Sequence, residues 1–152
     1  MNVQPDYEEL LKLFNKYKVK YCIVGAYAVS FYVRPRYTKD MDILVEPSIE
    51  NGLKILKALK MFGFKSLKLS TNDFTKEGQI IQLGYEPVRI DLLTSIDGCT
   101  FKAIWKHKKI GQYGKVKANF IGIKELIINK KETKRKQDSA DLELLLKGKK
   151  KV

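Results

Sequence analysis

Apolar residues recur along this chain at two periods, and the places where the period changes mark out its elements. Leu10, Leu13, Phe14 and Tyr17 fall on one helical face, and Asp6-Tyr7-Glu8-Glu9 has the spacing of a capping box opening that helix. A strand over 20–24 follows and runs into Gly25, where a short helix begins that is broken before Pro35. In Asp40-Met41-Asp42-Ile43-Leu44-Val45 the period becomes two: Met41, Ile43 and Val45 share one face and the two acids the other. Pro47-Ser48 opens a helix with Ile49, Leu53, Leu56, Leu59 and Lys60 at helical spacing, ending near Gly63. Apolar runs over 78–83 and 88–93, separated by Gly84-Tyr85-Glu86-Pro87, predict a hairpin with a four-residue connection. A short helix over 101–106 and a strand over 116–121 come next. Two helices close the chain, the first with Ile123, Leu126, Ile127 and Lys130 on one face and the second anchored by Leu142, Leu145 and Leu146. The order of elements is α+β.

Length narrows this to one domain, because 152 residues can bury one core. We place that domain at 1–146 and read 147–152 as a frayed basic tail. No apolar run approaches the roughly 18 residues that span a bilayer, and MNVQPDYEEL is not signal-like, so a cytoplasmic protein is expected. Cys22 and Cys99 have neither metal-ligand spacing nor a disulfide framework and read as reduced packing residues. Charge changes the picture more. Residues 1–100 carry 14 Lys and Arg against 12 Asp and Glu, whereas 101–152 carry 16 against 5, so most of the net +13 lies in the last third. Such a field attracts polyanions, RNA among them; the plainer alternative is a solubilising lysine surface.

Candidate chemistry starts from Asp40 and Asp42. Side chains two apart on a strand point the same way, about 7 Å apart, so both carboxylates can converge on one hard cation. Gly25, at a strand-to-helix turn, lets a phosphate approach the backbone. On 88–93, Val88, Ile90 and Leu92 face one way, leaving Arg89 and Asp91 on the other. If that strand packs beside the Asp-x-Asp strand, three carboxylates meet, and Mg²⁺ or Mn²⁺ relieves their repulsion while keeping positions for phosphate and water. The plain alternative for Asp91 is an ion pair with Arg89. Arg36, Thr38 and Lys39 either steer phosphate or form a solvated loop. Lys130 either reaches a phosphate or snorkels. Arg135, Asp138 and Asp141 share a helix face, where an ion-pair ladder is the simplest reading. His107 reads as a surface residue, and Phe101, Ile104 and Trp105 as core rather than a base-stacking platform.

Four ordered blocks carry a resemblance that covers nearly the whole chain: Gly25-Ala26-Tyr27-Ala28-Val29, Pro35 to Asp42, Arg89-Ile90-Asp91-Leu92-Leu93-Thr94, and Arg135 to Asp141. Together they resemble the nucleotidyltransferase superfamily, and within it the small AbiEii/AbiGii toxin-type nucleotidyltransferases. The resemblance implies a nucleotidyltransferase-like mixed β-sheet with helices packed on one face and a helical C-terminus. It implies transfer of a nucleoside monophosphate from an NTP, with RNA (tRNA) as acceptor and a cognate antitoxin as partner. It also implies roles: Asp40 and Asp42 as ligands of two metals, Asp91 as third ligand and general base, the Gly25-Ala26 backbone and Lys130 on phosphate, and Asp138 ordering the site. Two positions depart from the pattern. Ala26 stands where the family has Gly or Ser, and Gln137 where it commonly has Lys. These departures favour a second class, a nucleotide- or RNA-binding module without turnover; nucleotidylation of a protein is a third.

Overall fold

The computed structural model describes residues 3–33, 40–64, 68–85, 87–133 and 136–150, without the side chains of 136–138 and 148–150. Along them run α1 (Pro5–Lys16), β1 (Tyr21–Val24), α2 (Gly25–Tyr32), β2 (Asp40–Val45), α3 (Ile49–Phe62), a 3₁₀ turn (Thr71–Phe74), β3 (Ile80–Tyr85) and β4 (Val88–Leu93). The last third supplies α4 (Phe101–Lys106), β5 (Lys109–Tyr113), β6 (Val116–Phe120), α5 (Ile123–Thr133) and α6 (Lys136–Lys150). The six strands form one mixed sheet in the order β3-β4-β2-β1-β6-β5. β2 is antiparallel to β1 and parallel to β4, which itself pairs antiparallel with β3.

Alternation along the central strands divides the interior in two. Tyr21 and Ile23 of β1, Met41, Ile43 and Val45 of β2, and Ile90 and Leu92 of β4 join one core with Tyr7, Leu10, Leu11 and Phe14 of α1 and Ile55, Ala58 and Leu59 of α3. Cys22, Val24 and Leu44 point the other way, into a core with Ala28 and Val29 of α2, Ile104 of α4, Leu126 and Ile127 of α5 and Leu145 of α6. Helices thus cover both faces rather than one, because β1 is apolar on both sides, as a strand inside a covered sheet must be. Each large aliphatic or aromatic side chain fully buried here contributes roughly 1.5–3 kcal/mol.

Several local expectations change. α1 has Gln4 at its N-cap and Pro5 in its first turn, with no side-chain cap, so Asp6 lies inside the helix rather than opening a capping box. On α3 the buried residues are Asn51, Gly52, Ile55, Ala58 and Leu59, while Ile49 and Leu53 are exposed. Asn51 turns inward because its side chain ties down β1 and β2: it accepts from Lys20 N–H and donates to the carbonyls of Lys20 and Glu46. Gly52 leaves room for Phe74, whose Cβ would lie 3.2 Å from any Cβ at that position. The hairpin is tighter than expected, since Tyr85 pairs with Val88 and only 86–87 connect the strands. The edge strand β5 gives no alternating signal, as Lys109, Ile110 and Gln112 are all exposed. α6 continues to Lys150, past the boundary drawn at 146.

The two cysteines differ in environment. Burial pushes the Cys22 thiol up to about 12, and Cys99, only partly buried, is also raised by burial. A thiol reagent at about pH 8 should therefore modify Cys99 slowly and spare Cys22 until the chain unfolds, as peptide mass spectrometry would show. Among the described residues, no helix is long and apolar enough to cross a membrane.

Candidate active site

Parallel pairing of β2 with β4 puts the acidic positions side by side. The register sets Asp42 opposite Asp91 and Asp40 opposite Arg89, all on the face turned away from Met41, Ile43, Ile90 and Leu92. Asp91 is buried, while Asp40 and Asp42 are half-buried. Arg89 forks Asp91: Nε donates to Oδ1 at 3.1 Å and a terminal nitrogen to Oδ2 at 2.8 Å. The same Nε lies 3.7 Å from Asp40 Oδ2, and Asp40 Oδ1 is buried without a hydrogen-bond partner. Tyr7, on α1, donates to the Arg89 carbonyl at 2.9 Å and fixes the backbone from the opposite side of the sheet. Burial pushes that phenol up to about 12.

Gly25 brings the turn onto this face. It begins α2 with φ of +67°, and a Cβ there would lie 2.6 Å from Asp42 Oδ2. Glycine is required on both counts, for the left-handed backbone and for the carboxylate packed against it. Ala26 follows in the first turn of α2, partly exposed, and has only its backbone N–H to offer a ligand.

Lys130 closes the side of the site. Its position late in α5 continues the buried stripe, so the side chain is 6% exposed. Nζ lies 3.5 Å from Oδ2 of Asp141, which is fully buried on α6. Gly25, Asp42, Asp91 and Lys130 line a cleft of about 560 Å³, together with Ser95 and Asn129. A wider groove of about 860 Å³ runs along α1, past Glu8, Lys12 and Lys115, away from the acids. The chemistry, not the volume, marks the smaller cleft.

Two solved structures share this architecture almost end to end. One is the lincosamide antibiotic adenylyltransferase LnuA in its lincomycin-bound crystal form, with a TM-score of 0.61, 17% identity, and coverage of 96% of this chain and 98% of that one. The other is TM1012 of Thermotoga maritima, described as a candidate nucleotidyltransferase, with a TM-score of 0.62, 15% identity and 96% coverage of both chains. The fold is that of nucleotidyltransferases. No protein-family model matches the chain, and comparison with curated proteins finds no match.

Of the expected site residues, Gly25, Asp42, Asp91 and Lys130 line this cleft, Asp40 and Arg89 pair two register positions along the same strands, and Ala26 follows Gly25 in α2. Arg36, Thr38, Lys39 and Arg135 lie outside the described residues, as does the side chain of Asp138. Among the described residues, no three acidic, histidine or cysteine side chains converge closely enough to hold a metal ion as they stand. Asp141 is the residue that sequence reasoning undervalued. Its place in an Arg135-Asp138-Asp141 repeat suggested an ion-pair ladder within one helix, whereas it is a buried partner of Lys130, a pairing across two helices that spacing does not reveal. His107 is half-exposed but not isolated, because its Nδ1 lies 2.5 Å from Glu125 Oε1. Ile104 is core as expected, and Trp105 stacks on Phe101 with Lys108 Nζ 3.9 Å above its ring.

Proposed function

We propose that this chain transfers a nucleoside monophosphate from an NTP to an acceptor hydroxyl, with RNA, tRNA in particular, as the acceptor. The observation that carries this reading is Asp42 beside Asp91 in register, packed against the Gly25 turn in a cleft that also holds Lys130. A triphosphate seated there meets the backbone N–H groups at the start of α2 and the Lys130 ammonium. The acceptor oxygen forms a bond to the α-phosphorus, the α–β anhydride bond breaks, and pyrophosphate leaves. The acceptor's proton passes to Asp91, the acid in the cleft best shielded from water.

By chemical type the donor set suits a hard divalent cation, one that would have to draw the three acids closer together than they stand. Asp40, Asp42 and Asp91 offer only carboxylate oxygens, and Asp40 Oδ1 is buried with no hydrogen bond to give up. Bound to these three, Mg²⁺ or Mn²⁺ would supply neutralisation of phosphate charge and a lower pKa for the attacking hydroxyl. The charge of 101–152 supports a polyanionic acceptor, because Lys102, Lys106, Lys109, Lys115, Lys117 and Lys124 are all exposed. A toxin-type role with a cognate antitoxin follows from the sequence resemblance. The likeness in fold to LnuA favours a second reading, in which the hydroxyl belongs to a small molecule.

Incubating the pure protein with each labelled NTP, Mg²⁺ and total RNA separates these readings on one gel. Label on RNA is expected. Label on protein moves the acceptor to a polypeptide, and label in small molecules alone moves it to the second reading. Nucleotide binding with no transfer under any of these conditions makes the chain a binding module.

A further inference from the structure

Three carboxylates within two register positions of one sheet face need a positive charge, and this chain carries one of its own there. Arg89 uses two donors on the two oxygens of Asp91, at 3.1 and 2.8 Å, and its Nε also lies 3.7 Å from Asp40. Its side chain is 30% exposed, so the guanidinium has a path toward solvent, while Asp91 at 10% does not. The hydrogen bond from Tyr7 holds the Arg89 carbonyl, so a rearrangement here would be one of the side chain and not of the strand. An arriving cation would be repelled by the guanidinium, because like charges a few ångströms apart at a partly shielded surface repel.

We propose that Arg89 is a built-in counter-ion that competes with the divalent cation for Asp91, so that metal occupies the acids only when the guanidinium swings off them. The proposal rests on the cation-binding reading of the cleft given above. It assigns Arg89 a positioning role: it keeps the empty acids from repelling one another and makes binding of bare metal weak. The base oxygen of Asp91 likewise becomes available only after Arg89 has left it.

Counting free Mn²⁺ by electron paramagnetic resonance, without nucleotide, tests this on the full chain. Arg89→Ala should tighten Mn²⁺ binding about tenfold, since it removes a like charge beside the site. Arg89→Lys should fall between Arg89→Ala and wild type, as an ammonium keeps the charge but loses the fork. It also keeps the measurement usable if the alanine variant folds poorly, which circular dichroism would show. Asp42→Asn should loosen binding in every background. Mn²⁺ affinity that is unchanged or weaker in both Arg89 variants, with Asp42→Asn still loosening it, overturns the competition and makes Arg89 a support for Asp91. Affinity unaffected by Asp42→Asn overturns the cation site itself.

Discussion

Asp42→Asn should lower NTP-dependent labelling of the acceptor by roughly a thousandfold, equivalent to about 4 kcal/mol of transition-state stabilisation. The amide keeps the shape of the carboxylate against the Gly25 turn, so the fold should survive. It removes a full negative charge from a position opposite Asp91 and offers one neutral oxygen in place of two charged ones. A second readout avoids dependence on turnover. Mn²⁺ with an NTP at about 100 times its dissociation constant should stabilise wild-type protein by roughly 2.7 kcal/mol, because ligand binds only the folded state. The variant should show almost none of that rise in melting temperature. A full rise in the variant would place the nucleotide elsewhere.

Asp141→Ala should have the largest effect on stability, a loss of roughly 3 kcal/mol in chemical denaturation, as expected when one partner of a buried ion pair is removed. Asp141 is fully buried and Lys130 nearly so, with 3.5 Å between Nζ and Oδ2. Truncation leaves the ammonium without this carboxylate in a medium that penalises charge. The same change should weaken nucleotide binding, because Lys130 lines the cleft and its direction is set in part from α6. Lys130→Met in the Asp141→Ala background should recover much of the stability, since both charges are then gone, but not the nucleotide affinity. Recovery of both would make the pair purely structural.

The sequence by itself determined the alternation that builds the site strand. With Met41, Ile43 and Val45 bound for the core, the pleat forces Asp40 and Asp42 to the opposite face, and the same rule puts Asp91 opposite Ile90 and Leu92. Gly25 was legible too, as a small residue between an apolar strand and a helix, although the reason it must be glycine, the Asp42 carboxylate 2.6 Å from its absent Cβ, is not. Helix faces were read less well. Ile49 and Leu53 look like an inward stripe on α3, but the side-chain bonds of Asn51 and the contact of Gly52 with Phe74 rotate a different face inward. Local periodicity counts apolar residues and cannot see a polar side chain satisfied by distant backbone.

Only the tertiary structure decided the rest of the site. That β4 lies parallel to β2, and in the register that pairs Asp42 with Asp91, depends on a crossover through α3 and β3 and not on either strand alone. The Arg89–Asp91 ion pair was one of the two readings open from the sequence and is present; strand pairing adds Asp40, which places Arg89 between the two acids. Lys130 and Asp141 sit on different helices, and their ion pair exists because α5 and α6 pack beside the sheet and exclude the water that would otherwise screen both. Sequence patterns report which way a side chain leaves its own element. What it meets there is set by long-range packing, and the charges in this cleft take their partners from that packing.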